Sequence, residues 1–235
     1  MDRRPSQLSA VVGPQPGANP AGAALRVAAL MEVVVAGIAA LADWFIPSLV
    51  LTAMAVLSLL LRRSSPSTLG FHRPARPWRL AGEMALYAAA ISLLDIGLLI
   101  PVANHTTGKQ QDTSDFADLQ GNLTLLVLFL VLGWTLAAFA EELAFRGYLF
   151  TRVTDVLGSS RWAVPAALLL SSVLFGAIHT EQGVVGALVA ACDALLFGVL
   201  RVWKGTLWAS ILAHGFDNTI GFMAFFLFGP VHGLW

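Results

Sequence analysis

Long apolar runs separated by short polar stretches dominate the pattern of this chain. Most reach the roughly 20 residues that an α-helix needs to cross the hydrocarbon core of a bilayer. The seven runs lie at about residues 24–42, 44–61, 80–102, 123–157, 162–179, 183–200 and 206–228. We therefore predict an all-α fold, a polytopic transmembrane helical bundle of about seven spans, with six to eight as the range.

The two ends of this pattern define the expected domains. Residues 1–22 are rich in Pro, Gly, Ala and Ser and contain no apolar run, so we predict a disordered N-terminal tail. Residues 23–235 are predicted to form one membrane-embedded domain. No internal repeat is evident, which argues against a transporter built from duplicated halves.

Composition supports the membrane class and narrows the partners. Only 12% of the residues are charged and 57% are hydrophobic, whereas soluble domains carry about a quarter charged residues. The formal net charge is zero, so we expect the lipid bilayer as a partner and no nucleic acid. Cys192 is the single cysteine, which excludes an internal disulfide, and its apolar surroundings predict a small core residue.

The distribution of Lys and Arg predicts the orientation. With a cytoplasmic N-terminus, only Lys109 falls in an external loop, which also holds Asp112, Asp115 and Asp118. The other loop cations fall on the cytoplasmic side, as the positive-inside rule requires. Tryptophans near the predicted span ends are expected to anchor the helices at the interface: Trp44, Trp78, Trp162, Trp203, Trp208 and Trp235.

Charged residues inside the fourth run are the first sign of chemistry. A charge at mid-membrane costs at least about 2.5–3.5 kcal/mol on insertion scales. Glu142 and Arg146 are four residues apart with the acid first, the favourable order for a helical ion pair. Glu141 has no such partner, and an unpaired buried carboxylate is suited to act as a general base or acid.

Two further polar positions follow in later runs. His179 ends the fifth run, and His214 and Asn218 lie four residues apart on one face of the seventh. An imidazole and a carboxamide on one face can donate two hydrogen bonds to one point, which is how an oxyanion is stabilised. We leave Asp217 out of the site because it points from a different face. Asp193 is expected either to support a histidine or to cap a backbone or serine group.

Together these positions form a pattern that resembles a known family. Glu141-Glu142-x-x-x-Arg146, Phe175-x-x-x-His179 and His214-x-x-x-Asn218 resemble the CPBP family of intramembrane glutamic proteases. That family is also called the CAAX-protease and bacteriocin-processing, or Abi, family, and it includes type II CAAX prenyl endopeptidases. The resemblance covers about residues 123–228, the expected protease core, and residues 69–73 resemble the usual opening of the family.

The resemblance implies a role for each matching position. Glu141 would activate a water as general base, with His179 holding that water. His214 and Asn218 would stabilise the oxyanion, and Glu142 with Arg146 would order the site. It also implies a peptide or protein substrate, membrane-associated or prenylated, and no cofactor.

Three other interpretations remain open at this point. A zinc protease would use His179, His214 and a Glu, although the usual His-Glu-x-x-His spacing is absent. A non-catalytic immunity or regulatory scaffold would keep the motifs for structure, and a small transporter or channel is the last alternative. The predicted spans also place Glu141 toward the cytoplasmic end and His179 toward the external end, so a shared site requires a tilted fourth helix.

Overall fold

Seven helices form the described part of the chain, which in this computed structural model comprises residues 20–44 and 46–230. They are α1 (Pro20–Leu41), α2 (Pro47–Arg62), α3 (Pro77–Thr107), α4 (Leu123–Leu157), α5 (Ala163–Ala177), α6 (Gly183–Lys204) and α7 (Leu207–Phe228). Short 3₁₀ turns occupy Pro66–Leu69, Ser114–Leu119 and Thr180–Gln182. No strand occurs among these residues, and the predicted all-α class with about seven spans is confirmed. The predicted tail up to residue 19, and Trp235, lie outside the described residues.

The helices differ in their capacity to cross a bilayer. Five of them are long and apolar enough to do so by length and composition, namely α1, α3, α4, α6 and α7. The other two are apolar but shorter, with 16 residues in α2 and 15 in α5. At 1.5 Å per residue α5 is only about 22 Å long, against a hydrocarbon core of about 30 Å.

Helix boundaries follow ordinary sequence signals. Proline occupies the first turn of α2 and α3, where its missing N–H is not needed. The side chain of Asn122 accepts a hydrogen bond from the backbone N–H of Leu125 and so caps α4. Thr206 caps α7 in the same way, and Gly205 ends α6 in the left-handed conformation that glycine tolerates.

Two of the membrane helices contain wide turns of the π type. The backbone follows i→i+5 bonding over Asp95–Leu99 in α3 and over Gly133–Leu149 in α4. Such turns are rare, and where they occur they are often associated with functional sites. Four charged residues lie within these two segments: Asp95, Glu141, Glu142 and Arg146.

Helix α4 lies at the centre of the bundle, where it packs against α2, α5 and α7. Its second half is almost entirely buried, with Phe145, Tyr148 and Phe150 among the largest side chains of the core. Helices α5 and α6 approach closely at Gly176, where a Cβ atom would lie 2.5 Å from the carbonyl oxygen of Ala187. Small residues permit such close contacts between membrane helices.

Buried arginines tie loops and helix ends to this core. Arg201 lies over the ring of Phe150 at 4.0 Å and donates a hydrogen bond to the carbonyl oxygen of Leu69, in the segment after α2.

The carboxylate of Glu32, within the first predicted span, has partners on the next helix. Glu32 of α1 accepts hydrogen bonds from Ser58 and Arg62 of α2, and these partners account for a carboxylate at this position.

Two further details concern Glu83 and Cys192. Glu83 pairs with Arg79 at 2.9 Å, and Lys204 binds its second oxygen at 2.7 Å. The prediction that Cys192 is a core residue is wrong, because its side chain is exposed on the outer side of α6. An apolar run alone does not tell a core-facing position from one that faces lipid.

Candidate active site

A fully buried ion pair forms the base of the site. Glu142 and Arg146 are both inaccessible, and their side chains meet at 3.1 Å. The same oxygen of Glu142 lies 3.0 Å from Nδ1 of His214 on α7. A carboxylate only accepts hydrogen bonds, so Nδ1 of His214 carries the proton and Nε2 is left for another partner.

The ring of Phe175 connects this pair with the two histidines. The guanidinium of Arg146 lies 4.2 Å from the ring centroid, a cation–π contact strengthened by burial. The ring of His179 lies 4.5 Å away and that of His214 6.1 Å away. Phe175 therefore has a defined role in placing three polar side chains, which the motif alone did not give.

A hydrogen bond to the preceding helical turn determines which ring nitrogen of His179 carries the proton. Its Nδ1 lies 2.8 Å from the carbonyl oxygen of Phe175, four residues earlier. Because a carbonyl oxygen is an acceptor only, Nδ1 is the donor, and Nε2 of the neutral ring is a hydrogen-bond acceptor. An imidazole in this state can accept a hydrogen bond from a water molecule.

His179, His214 and Asn218 line one cavity of about 230 Å³ between α3, α5, α6 and α7. Both polar and apolar side chains surround it, with Ile100, Phe116 and Phe225 on the apolar part. Three of the four positions predicted to be catalytic therefore share one cavity.

Glu141, the fourth position, faces a different neighbour. Its Oε1 accepts a hydrogen bond of 3.4 Å from Ser48 of α2, and it does not belong to the cavity lining. Its Oε2 is buried without a hydrogen-bond partner among the described residues. The carboxylate lies within electrostatic reach of His214 and Arg146, so it borders the same group of charges.

Three aspartates that sequence reasoning did not join lie in the same cavity. Oxygens of Asp95, Asp193 and Asp217 are within 4.8 Å of one another, and Ser92 donates a hydrogen bond of 2.6 Å to Asp217. Asp217, which the sequence analysis left out of the site, lines the cavity together with Asn218, because neighbouring helix positions can both line a wide cavity. The sequence does show three acidic residues within apolar runs. Because they lie far apart in the chain, it does not show that their side chains are close together.

His179 lies just beyond the end of a short helix. Helix α5 ends at Ala177 after 15 residues, and His179 follows it. His179 shares the cavity and the ring of Phe175 with His214, whereas Glu141 is not part of the cavity lining.

The zinc alternative requires His179, His214 and a glutamate to converge on one point. Among the described residues, the group of side chains close enough to hold a metal ion is instead Asp95, Asp193 and Asp217. His214 moreover directs Nδ1 at Glu142, whose oxygen also holds Arg146.

A comparison with protein families shows which family this region resembles. Residues 123–220 match the family described as Rce1-like, type II CAAX prenyl endopeptidase Rce1-like. This part of the chain is similar to that family. The resemblance that the motifs predicted is confirmed, and all three motifs lie within the matched residues. Comparisons with curated proteins and with solved structures give no match.

The CAAX-protease match and the apolar helices together support an integral membrane endopeptidase acting on a peptide or protein substrate. The matched region begins at the start of α4 and ends within α7, so it includes every element that supplies Glu141, His179, His214 and Asn218. Helices α1–α3 precede it, and of these α3 contributes Ser92 and Asp95 to the cavity.

Proposed function

We propose that this protein is a glutamic intramembrane endopeptidase in which Glu141 activates the water that attacks the peptide bond. The observation that carries the proposal is the convergence of His179, His214 and Asn218 on one cavity, where His214 also contacts Glu142, the chain neighbour of Glu141. These are the side chains that water activation and oxyanion stabilisation require.

Glu141 is suited to the role of general base by its surroundings. Ser48 holds one oxygen, while the other is buried and unpartnered among the described residues. The free oxygen takes a proton from water as the hydroxide oxygen bonds to the carbonyl carbon. Glu141 then returns that proton to the leaving amine, so that the carboxylate is regenerated.

His179 holds the attacking water in this proposal. With Nδ1 donating to the carbonyl of Phe175, its Nε2 accepts a hydrogen bond from the water and directs a lone pair at the substrate. The tilted contact between the ring of Phe175 and the imidazole of His179 limits rotation of the imidazole.

His214 and Asn218 stabilise the charge that develops on the substrate oxygen. Asn218 donates through its amide, and His214 donates through Nε2 when its ring carries two protons. Glu142 balances that positive charge through its 3.0 Å contact with Nδ1. Parallel stacking of His214 on Phe197, with centroids 5.0 Å apart, fixes the plane of the ring.

The cavity favours a membrane-associated substrate. Its apolar wall includes Ile96, Ile100, Phe116 and Phe225, while the polar wall carries the proposed chemistry. A peptide with an apolar neighbour to the cleaved bond fits this division, and a prenylated peptide is one such substrate. The prenyl endopeptidases named by the matched family support that choice.

Comparison of peptide termini in membranes tests the proposal. Wild type and Glu141→Gln are expressed to equal levels in the same host, and new termini are identified by mass spectrometry. We expect termini that occur with wild type and are missing with Glu141→Gln. Identical profiles from two inserted, folded proteins would contradict the proposed base and favour the scaffold interpretation.

A further inference from the structure

A second recess lies at the ends of helices α3, α6 and α7, apart from the cavity described above. It is about 380 Å³ in volume and is formed by the segment before α3, the first turns of α3 and the α6–α7 turn. Its ionisable lining residues are His72, Arg73, Arg76, Arg79, Glu83 and Lys204. The lining thus contains four Arg or Lys side chains and one carboxylate.

The single carboxylate does not neutralise this recess. Glu83 uses one oxygen for Arg79 at 2.9 Å and the other for Lys204 at 2.7 Å. Arg73 and Arg76 are exposed and form no ion pair among the described residues. Two guanidinium groups therefore remain for an anion, and guanidinium matches phosphate oxygens well in geometry and charge.

An apolar groove of about 250 Å³ adjoins the cationic recess. Pro74 lines both, and the groove continues along Pro77, Trp78 and Ala81 of α3 and Trp208 and Leu212 of α7. Trp208 packs edge-on against Phe71, with ring centroids 5.5 Å apart, which fixes one wall. The groove thus leads from the helix ends about one turn into the apolar part of the bundle.

Trp78 stands at the junction of the two surfaces and is 89% exposed. An exposed tryptophan at a helix start, beside cations and above apolar residues, is typical of the membrane interface. The recess therefore lies at the level of lipid headgroups, and the groove lies at the level of the first acyl carbons.

We propose that this paired surface binds one anionic glycerophospholipid. Arg73 and Arg76 bind its phosphate, and an acyl chain lies in the groove between Trp78 and Trp208. Charge complementarity selects an anionic headgroup over a zwitterionic one, and continuity with the groove selects a lipid over free phosphate. The predicted orientation places this surface in the cytoplasmic leaflet, where anionic lipids attract basic segments near membrane spans.

Native mass spectrometry of the detergent-solubilised full chain tests the site. Three ligands are compared: dioleoylphosphatidylglycerol, dioleoylphosphatidylcholine and glycerol phosphate. We expect phosphatidylglycerol to bind at least tenfold more tightly than either of the others. The Arg73→Gln/Arg76→Gln variant should lose roughly 10- to 30-fold of that affinity, since each basic residue near the surface contributes roughly a fivefold factor.

Two further variants make the test specific. The Arg63→Gln/Arg161→Gln variant removes the same two charges from outside the recess and should keep wild-type binding. Ala81→Trp fills the groove without changing the charge and should weaken phosphatidylglycerol binding several-fold. Circular dichroism first establishes that all variants are folded. Three results would then each overturn the proposal: equal losses in the two double-arginine variants, unchanged binding by Ala81→Trp, or binding of glycerol phosphate as tight as that of the lipid.

Discussion

Glu142 is the residue on which the buried charge of the site depends. It contacts both Arg146 and His214 while being fully buried. Replacing it by Gln leaves the buried guanidinium without its ion-pair partner, and we expect a loss of about 3–5 kcal/mol of stability. Thermal unfolding in detergent measures this loss.

Glu141→Gln is the matched control for that stability measurement. Among the described residues its carboxylate accepts a single hydrogen bond, of 3.4 Å from Ser48, so we expect a loss below about 1 kcal/mol. Adding Arg146→Met to Glu142→Gln should restore part of the stability, because the unpaired cation is then removed. Equal destabilisation by the two single glutamate variants would contradict the separation of their roles.

Asn218 is the residue whose function is easiest to isolate. It is partly accessible and lines the cavity, so Asn218→Ala should leave the fold intact. Loss of an oxyanion donor is expected to lower kcat about 10²- to 10³-fold with little change in KM. Steady-state kinetics on a cleaved peptide measures both parameters, with Ile220→Ala on the same cavity wall as control. An effect of Asn218→Ala confined to KM would assign this residue to substrate binding instead.

At this scale the sequence predicted contacts within one helix better than contacts between helices. The i, i+4 spacing was sufficient for the Glu142–Arg146 pair, because both residues lie on one helix. The contact of His214 with Glu142 joins α7 to α4, and no local pattern encodes it. The same holds for Asp95, Asp193 and Asp217, which come from three different helices.

Among the helices, the close contact between α5 and α6 helps to position the site, because it lies next to Phe175. Gly176 follows Phe175, and a Cβ there would lie 2.5 Å from the Ala187 carbonyl and 2.8 Å from the Ala191 Cβ. Gly176→Ala should therefore separate the helices and destabilise the protein by about 1–3 kcal/mol. The separation also shifts Phe175, so cleavage should slow as well.

Gly37→Ala on α1 is the control for that variant. A Cβ at Gly37 meets no atom within 4 Å, so the substitution should be neutral or stabilising by up to about 1 kcal/mol. Thermal unfolding of both variants in the same detergent compares them. Equal behaviour of the two glycine variants would show that the α5–α6 contact is less tight than described.

Helix positions were largely predictable because apolar runs and breakers mark them. The predicted fourth run, residues 123–157, agrees with α4 at both ends. The end of α5 was not predictable, since apolar residues continue to Ile178 while the helix stops at Ala177. The wide turns of α3 and α4 also left no readable signal, because their apolar residues follow no distinct period.

The orientation of the whole molecule stays a prediction from its charges. In a Cys192→Ser background, a single cysteine replaces either Arg73 or Lys109, and intact bacterial cells are treated with a membrane-impermeant maleimide. We expect labelling of Lys109→Cys in intact cells, and of Arg73→Cys only after the membrane is opened. Labelling in the reverse order would place the N-terminus outside.

The most direct test of the account is the single-turnover rate of peptide cleavage by purified Glu141→Gln. If Glu141 is the general base, the rate should fall by about 10²- to 10⁴-fold while thermal stability stays close to that of wild type. Retention of the rate within about threefold, together with its loss in His214→Ala, would contradict the account. In that case His214, held by Glu142, would be the base in place of Glu141.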